Sequence, residues 1–208
     1  ATSIVTPNIQ WRFKSGAKVT FAHMFYEKEK YNWQGSQIPL LMFDELTHFT
    51  ESQFFYLFSR NRSTCGVKPY VRATCNPDGE SWVAKFIDWW IDPETGYADE
   101  SRCGKIRYFI RRNNIIHWAN TREELYNKFQ LFTREEQEDV KSVSFISAKL
   151  SDNQILMKLN PGYIGALRAM SEFDQEQLLN GNWKIRRASG KYFKRSKVLM
   201  LGAIPTDI

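Results

Sequence analysis

The six residues Ile38-Pro39-Leu40-Leu41-Met42-Phe43 are apolar throughout and run directly into Asp44-Glu45. Too short for a stable helix, the run reads as a strand buried on both faces, which calls for helices on either side of a largely parallel sheet. Two carboxylates then stand at the carboxyl edge of that sheet, where open α/β folds bind their ligands. A plainer account makes Asp44 the cap of the next helix and Glu45 part of its first turn, where the helix dipole favours anions. The residues that follow do spell a helix: Thr50 as N-cap, Gln53 three positions on, and Phe54, Phe55, Leu57 and Phe58 as the apolar stripe, ending near Arg62.

The rest of the chain alternates in the same manner. Trp11 to Lys14 and Lys18 to Met24 read as strands joined at Ser15-Gly16 in a hairpin. Tyr70 to Cys75 is strand-like and stops at Asn76-Pro77-Asp78-Gly79, four residues that all favour turns. A helix is expected from about Ser81 to Ile91, a strand over Lys105 to Ile110, a helix capped by Thr121, and a strand over Ser142 to Ser147. Trp82, Phe86, Trp89 and Trp90 fall at helical spacings and are read as core rather than as a platform for bases. From Pro161 the pattern becomes helical, with Tyr163, Leu167 and Met170 on one helix and Phe173, Leu178 and Leu179 on the next, closed by Asn180-Gly181.

With 208 residues, 42% of them apolar and 15% aromatic, the chain has material for a sizeable core and is not a disordered tail. Its longest apolar run falls far short of the roughly 20 residues that cross a bilayer, so no membrane span is expected. Cys65, Cys75 and Cys103 are odd in number and irregularly spaced, which suits free thiols in a reducing compartment. His48 follows Glu45 by three residues, but no second His or Cys stands at ligand spacing. The net charge of +6 is concentrated: Lys184, Arg186, Arg187, Lys191, Lys194, Arg195 and Lys197 occur without a carboxylate among them, and Arg102, Lys105, Arg107, Arg111 and Arg112 form a second group. Such groups favour polyanions, and a nucleic acid held through its phosphates would be bound in a salt-dependent, sequence-indifferent way.

Leu40-Leu41-Met42-Phe43-Asp44-Glu45 resembles the Walker B motif and catalytic glutamate of the large terminase subunit of tailed bacteriophages, and Ala73-Thr74-Cys75-Asn76-Pro77 resembles that family's coupling motif. Asp152 to Leu156, Tyr163, Leu167, Leu178 to Trp183 and Gly190 to Phe193 are similar to the stretch that closes its ATPase domain, so the likeness spans most of Val19 to Phe193. The resemblance implies an α/β fold, a partial core of the P-loop NTPase type with an additional strand and catalytic glutamate, its mostly parallel sheet flanked by helices, plus a C-terminal helical segment. It implies ATPase core over 1–150, a helical closing segment over 151–197, and over 198–208 the start of a linker to a nuclease domain.

In function, the resemblance implies ATP hydrolysis coupled to packaging of double-stranded DNA into procapsids. Asp44 would hold Mg2+, Glu45 would activate water, and Thr74 with Asn76 would couple hydrolysis to motion. Arg107, Arg111, Arg112, Lys184, Arg186, Arg187, Lys191, Lys194 and Arg195 would track DNA phosphates. The implied partners are a small terminase subunit, a portal protein and further copies of the chain, in the host bacterial cytoplasm.

Two features depart from the family pattern. No Gly-x4-Gly-Lys-Ser/Thr loop is present, since Ser15-Gly16-Ala17-Lys18 and Ser189-Gly190-Lys191 lack its spacing and its hydroxyl, so the chain is expected to be a piece without the Walker A region and the nuclease domain. Gln34 stands where many relatives place an arginine that reaches a neighbouring subunit, and Lys28, Lys30, Arg60 and Arg62 are the nearby cations. Two other readings compete. A helicase-like ATPase would add arginine-bearing motifs in a second sheet domain, which are not seen after Ile146, and a non-catalytic nucleic-acid-binding or scaffold module would need no phosphate loop.

Overall fold

A computed structural model describes residues 2–4, 9–160 and 162–186, which divide between two compact units, Ala1–Cys75 and Asn76–Ile208. Both are mixtures of helices and small sheets. Among the described residues no helix is long and apolar enough to cross a membrane, and all three cysteines are free.

In the first unit, strands β1 (Thr2–Ile4), β2 (Ile9–Arg12) and β3 (Lys18–Phe21) form an antiparallel sheet in that order. The expected hairpin is present at Ser15-Gly16, where Gly16 takes φ 86° and its N–H donates to the Phe13 carbonyl at 3.0 Å. Strand β2 has the expected four residues but begins two positions earlier, and β3 ends at Phe21 rather than Met24. Strand β4 (Leu40–Phe43) leads through helix α1 (Glu51–Phe58) to strand β5 (Tyr70–Ala73), and β4 and β5 pair in parallel with Phe43 beside Ala73. The helical crossover is what permits that direction, since parallel neighbours cannot be joined by a tight turn.

Helix α1 begins where expected. The Thr50 hydroxyl accepts the Gln53 N–H and the Gln53 side chain accepts the Thr50 N–H, a reciprocal cap that satisfies two otherwise orphan donors. Its end at Phe58 comes earlier than Arg62. Phe54 packs on Phe43 with ring centroids 5.3 Å apart, and Phe43 also meets Phe49. Leu41 and Phe43 are therefore buried, whereas Met42 is 74% exposed. The expectation that both faces of β4 are buried is corrected by this: α1 packs on one face, and the face bearing Leu40 and Met42 remains open.

A mostly parallel sheet is corrected as well. Among the described residues β4 with β5 is the one parallel pair, in a two-stranded sheet, and the other two sheets are antiparallel. In the second unit, β6 (Ile106–Arg112), β7 (Ile115–Ala119) and β8 (Lys141–Ser144) pair in the order β7-β6-β8. Strand β7 goes unread in the sequence. Its connection to β6 is Asn113-Asn114, both with positive φ (50° and 64°), and two left-handed residues make the turn whose twist matches a hairpin.

Alternation along β6 divides its neighbours between two faces. Ile110 joins Ala119, Val140 and Leu131 with Leu125 of helix α3 (Arg122–Phe129), which Thr121 caps as expected. Phe109 instead meets Phe86 and Trp118. The helix expected over 81–91 is interrupted: α2 covers Trp82–Phe86, Ile87 leaves helical geometry at ψ 6°, and a tighter turn follows over Asp88–Trp90. The break lets Trp90 become fully buried, with its indole N–H on the Lys105 carbonyl at 3.0 Å. Short helices complete the unit: α4 (Arg134–Gln137), α5 (Gln154–Leu159), α6 (Gly162–Arg168) and α7 (Glu172–Asp174), the last running into a wide turn at Gln175–Leu179.

Candidate functional site

The parallel pairing of β4 and β5 brings two strand ends to one edge. The ladder continues one residue past each strand, with the Thr74 N–H on the Phe43 carbonyl and the Leu46 N–H on the Thr74 carbonyl, both at 2.9 Å. Asp44 and Thr74 are thus neighbours, and the Thr74 hydroxyl donates to Asp44 Oδ1 at 2.8 Å. Asp44 does not cap a helix. Thr50 does that for α1, and the tight turn at Leu46–His48 begins from Glu45 without any side-chain cap.

Glu45 occupies the left-handed region, at φ 53° and ψ 58°. That conformation costs an L-residue with a full side chain roughly 1–2 kcal/mol, and persists where surrounding structure imposes it. Here the Leu46 hydrogen bond to Thr74 and the His48 N–H on the Glu45 carbonyl at 2.9 Å impose it. Asp44 is exposed and Glu45 half-buried. Burial raises the Cys75 thiol to about 11, and the negative charge of Glu45 adds to the effect, so the glutamate lies within electrostatic reach of the second strand's tip. Asn76, the next residue, opens the second unit and is exposed.

Asp44 offers hard carboxylate oxygen, and among the described residues no group of three or more His, Cys, Asp or Glu could hold a metal alone. That donor set fits Mg2+, which binds proteins through one or two carboxylates and takes its remaining oxygens from substrate phosphates and water.

A neighbouring charged group escaped the sequence reading. Glu27 Oε1 receives Lys30 Nζ at 2.5 Å, and its Oε2 receives the Thr50 hydroxyl at 2.7 Å, holding the Glu27 carboxyl at about 2. Lys30 is buried and also donates to Ser52. Glu27 three residues before Lys30 was the available signal. Arg60 lies over the Tyr56 ring, Arg62 donates to the Gly35 and Ser36 carbonyls, and Lys28 and Gln34 are exposed.

The cations of the second unit have diverse surroundings. Arg107 is half-buried with its guanidinium 4.9 Å from the Trp89 ring and 5.4 Å from that of Trp118, and burial lowers its pKa. Arg111 is half-buried on the same face of β6. Arg112 pairs with Asp139 at 2.7 Å, Lys184 approaches Asp88 at 3.7 Å, and Arg186 is exposed. Arg187, Lys191, Lys194 and Arg195 lie outside the described residues.

No curated protein and no solved structure matches the chain. Residues 2–200 match the family model described as terminase large subunit, T4likevirus-type, N-terminal, nearly the whole length and including both strand ends of the site. The chain belongs to that family of terminase large subunits, and with it to the machinery of phage DNA packaging.

Proposed function

We propose that the Asp44-Glu45 edge is the hydrolytic edge of an ATP-driven motor that moves double-stranded DNA into procapsids. The observation that carries this reading is the parallel pair β4 and β5, whose adjacent ends join Asp44 to Thr74 by a 2.8 Å hydrogen bond. In open α/β sheets, ligands bind outside the carboxyl ends of the strands.

Asp44 would hold Mg2+, which when bound neutralises charge on the phosphates. The Thr74 hydroxyl fixes one oxygen of the carboxylate and leaves its orientation dependent on the second strand. Glu45 would accept a proton from the attacking water. Any change at the Asp44 carboxylate then reaches Thr74 through their shared hydrogen bond and continues along the backbone to Asn76. Double-stranded DNA would meet the exposed cations, Arg186 among them, and the small terminase subunit, a portal protein and further copies of the chain would complete the motor.

The test is Glu45→Gln in the intact large subunit. The amide keeps size and polarity but cannot take a proton, so nucleotide binding should persist while DNA-stimulated ATP hydrolysis falls by at least about a hundredfold, the usual scale of a lost general base. Undiminished turnover would instead favour a scaffold role for this edge.

A further inference from the structure

The turn that leaves the β5 tip is held by residues a hundred positions further along the chain. Gln177 Nε2 donates to the Pro77 carbonyl. Two residues on, Gly79 lies so close to the same segment that an added Cβ would stand 2.7 Å from the Trp183 carbonyl oxygen and 3.2 Å from that of Ile185. Both obstacles are backbone and cannot swing aside, so this is a fitted contact between two main chains.

The segment is anchored on its other side too. The Trp183 N–H donates to the Gly96 carbonyl at 2.8 Å, and Tyr97 Oη donates to Glu176 Oε2 at 2.5 Å. Asn180 Nδ2 donates to the other Glu176 oxygen at 2.8 Å. Asn182 Oδ1 then accepts the N–H groups of Lys184 and Ile185, at 2.8 and 3.0 Å, bending the chain into the basic stretch that begins at Lys184. Gln177 itself sits in a wide i to i+5 turn, a geometry that is rare and concentrated at functional sites.

We infer that residues 176–185 are a transmission strap, with Gln177 as the positioning residue that ties it to the strand-tip turn at Pro77. This rests on the proposed reading of the β5 tip as the coupling element, and adds the route by which movement there leaves the hydrolytic edge. A shift at Thr74 displaces Pro77 and Gly79 through the chain. Because Gly79 abuts the Trp183 and Ile185 carbonyls without slack, the strap must move with the turn, and the start of the basic stretch moves with the strap.

The test uses the intact large subunit with Gln177→Met, which keeps length but removes the donor, Gln177→Lys, which keeps a donor, and Gly79→Ala. ATP turnover without DNA and base pairs packaged per ATP into procapsids are measured for each. Gln177→Met and Gly79→Ala are expected to leave basal turnover within about twofold and to lower base pairs per ATP by at least about fivefold, the lower end of ordinary coupling between sites. Gln177→Lys should recover most of the loss. Unchanged base pairs per ATP in Gln177→Met, or turnover and packaging falling in proportion, overturns the strap. Should Gly79→Ala fail to fold, the two Gln177 variants decide alone. Glu45→Gln run in parallel separates the failures: if it still hydrolyses ATP the site reading fails, whereas if it is inactive and Gln177→Met is normal only the strap fails.

Discussion

At the scale of single residues, the site depends on one hydroxyl. Thr74 is the side chain that joins the two strand ends, through its 2.8 Å bond to Asp44. A hydrogen bond to a charged group contributes about 1.5–3 kcal/mol when sheltered and less in contact with water, and Asp44 is exposed. Thr74→Val keeps the branched shape and removes the donor. It should lower DNA-stimulated hydrolysis about tenfold, equivalent to about 1.4 kcal/mol, by releasing the carboxylate orientation. Thr74→Ser should remain within about twofold, because the donor is retained. Steady-state ATP turnover checks both, and a serine variant as impaired as the valine variant would show that the retained donor does not suffice, detaching the effect from the hydrogen bond to Asp44. Glu45 poses a different constraint, since its left-handed backbone is held by the His48 N–H on its carbonyl and by the Leu46 N–H on the Thr74 carbonyl.

At the scale of elements, helix α1 is held at its start by the network of Glu27, Lys30, Thr50 and Ser52. The Glu27 carboxyl lies at about 2 in the folded protein against an ordinary 4.5, chiefly because of the hydrogen bond from Lys30 and then those from Thr50 and Ser52. A depressed carboxyl stabilises the fold above its unfolded value, and this contribution disappears as pH falls through the folded value, here between about pH 5 and 2. Lys30→Met removes the largest cause. Urea denaturation should therefore show the variant losing less stability than the native chain across that window, and parallel pH curves would refute the linkage. The cap itself was legible in the sequence because Thr50 and Gln53 act over three residues; β4 was legible as a short apolar run, and β5 as a short strand-like run that stops at the turn residues Asn76 to Gly79. The pairing of Asp44 with Thr74 was not: the sequence reads Thr74 as part of the strand, and it is the parallel register, with β5 ending at Ala73, that sets both residues just past their strand ends. Elsewhere the deciding contacts are distant: the break at Ile87 follows from Trp90 reaching the Lys105 carbonyl, and the hold on Pro77 from Gln177, a contact no local period encodes. The β6–β7 hairpin is different, since its signal is local, the adjacent pair Asn113-Asn114 that tolerates positive φ, and it goes unread.

At the scale of the whole molecule, a net charge of +6 describes the field a polyanion meets from afar, but its contact with DNA depends on which cations remain available. Arg112 already has Asp139 at 2.7 Å, with both side chains between 40 and 50% exposed, a pair that contributes at most about 1 kcal/mol to stability. Arg107 lies against two indole rings, an arrangement that holds a guanidinium in place through the ring faces. Arg186 is exposed at the outgoing end of the strap. If it meets a phosphate, Arg186→Ala in the intact large subunit should weaken binding to any duplex equally and reduce the slope of log affinity against log salt by about 0.9, the value for one released counterion. Arg112→Ala should leave that slope unchanged, because its loss frees Asp139 rather than vacating a phosphate contact. Fluorescence anisotropy on two unrelated duplexes over a salt series measures both slopes. Equal slopes for Arg186→Ala and the native chain would remove Arg186 from the proposed DNA surface, and a loss confined to one duplex would mean that this arginine reads bases, contrary to the proposed sequence-indifferent motor.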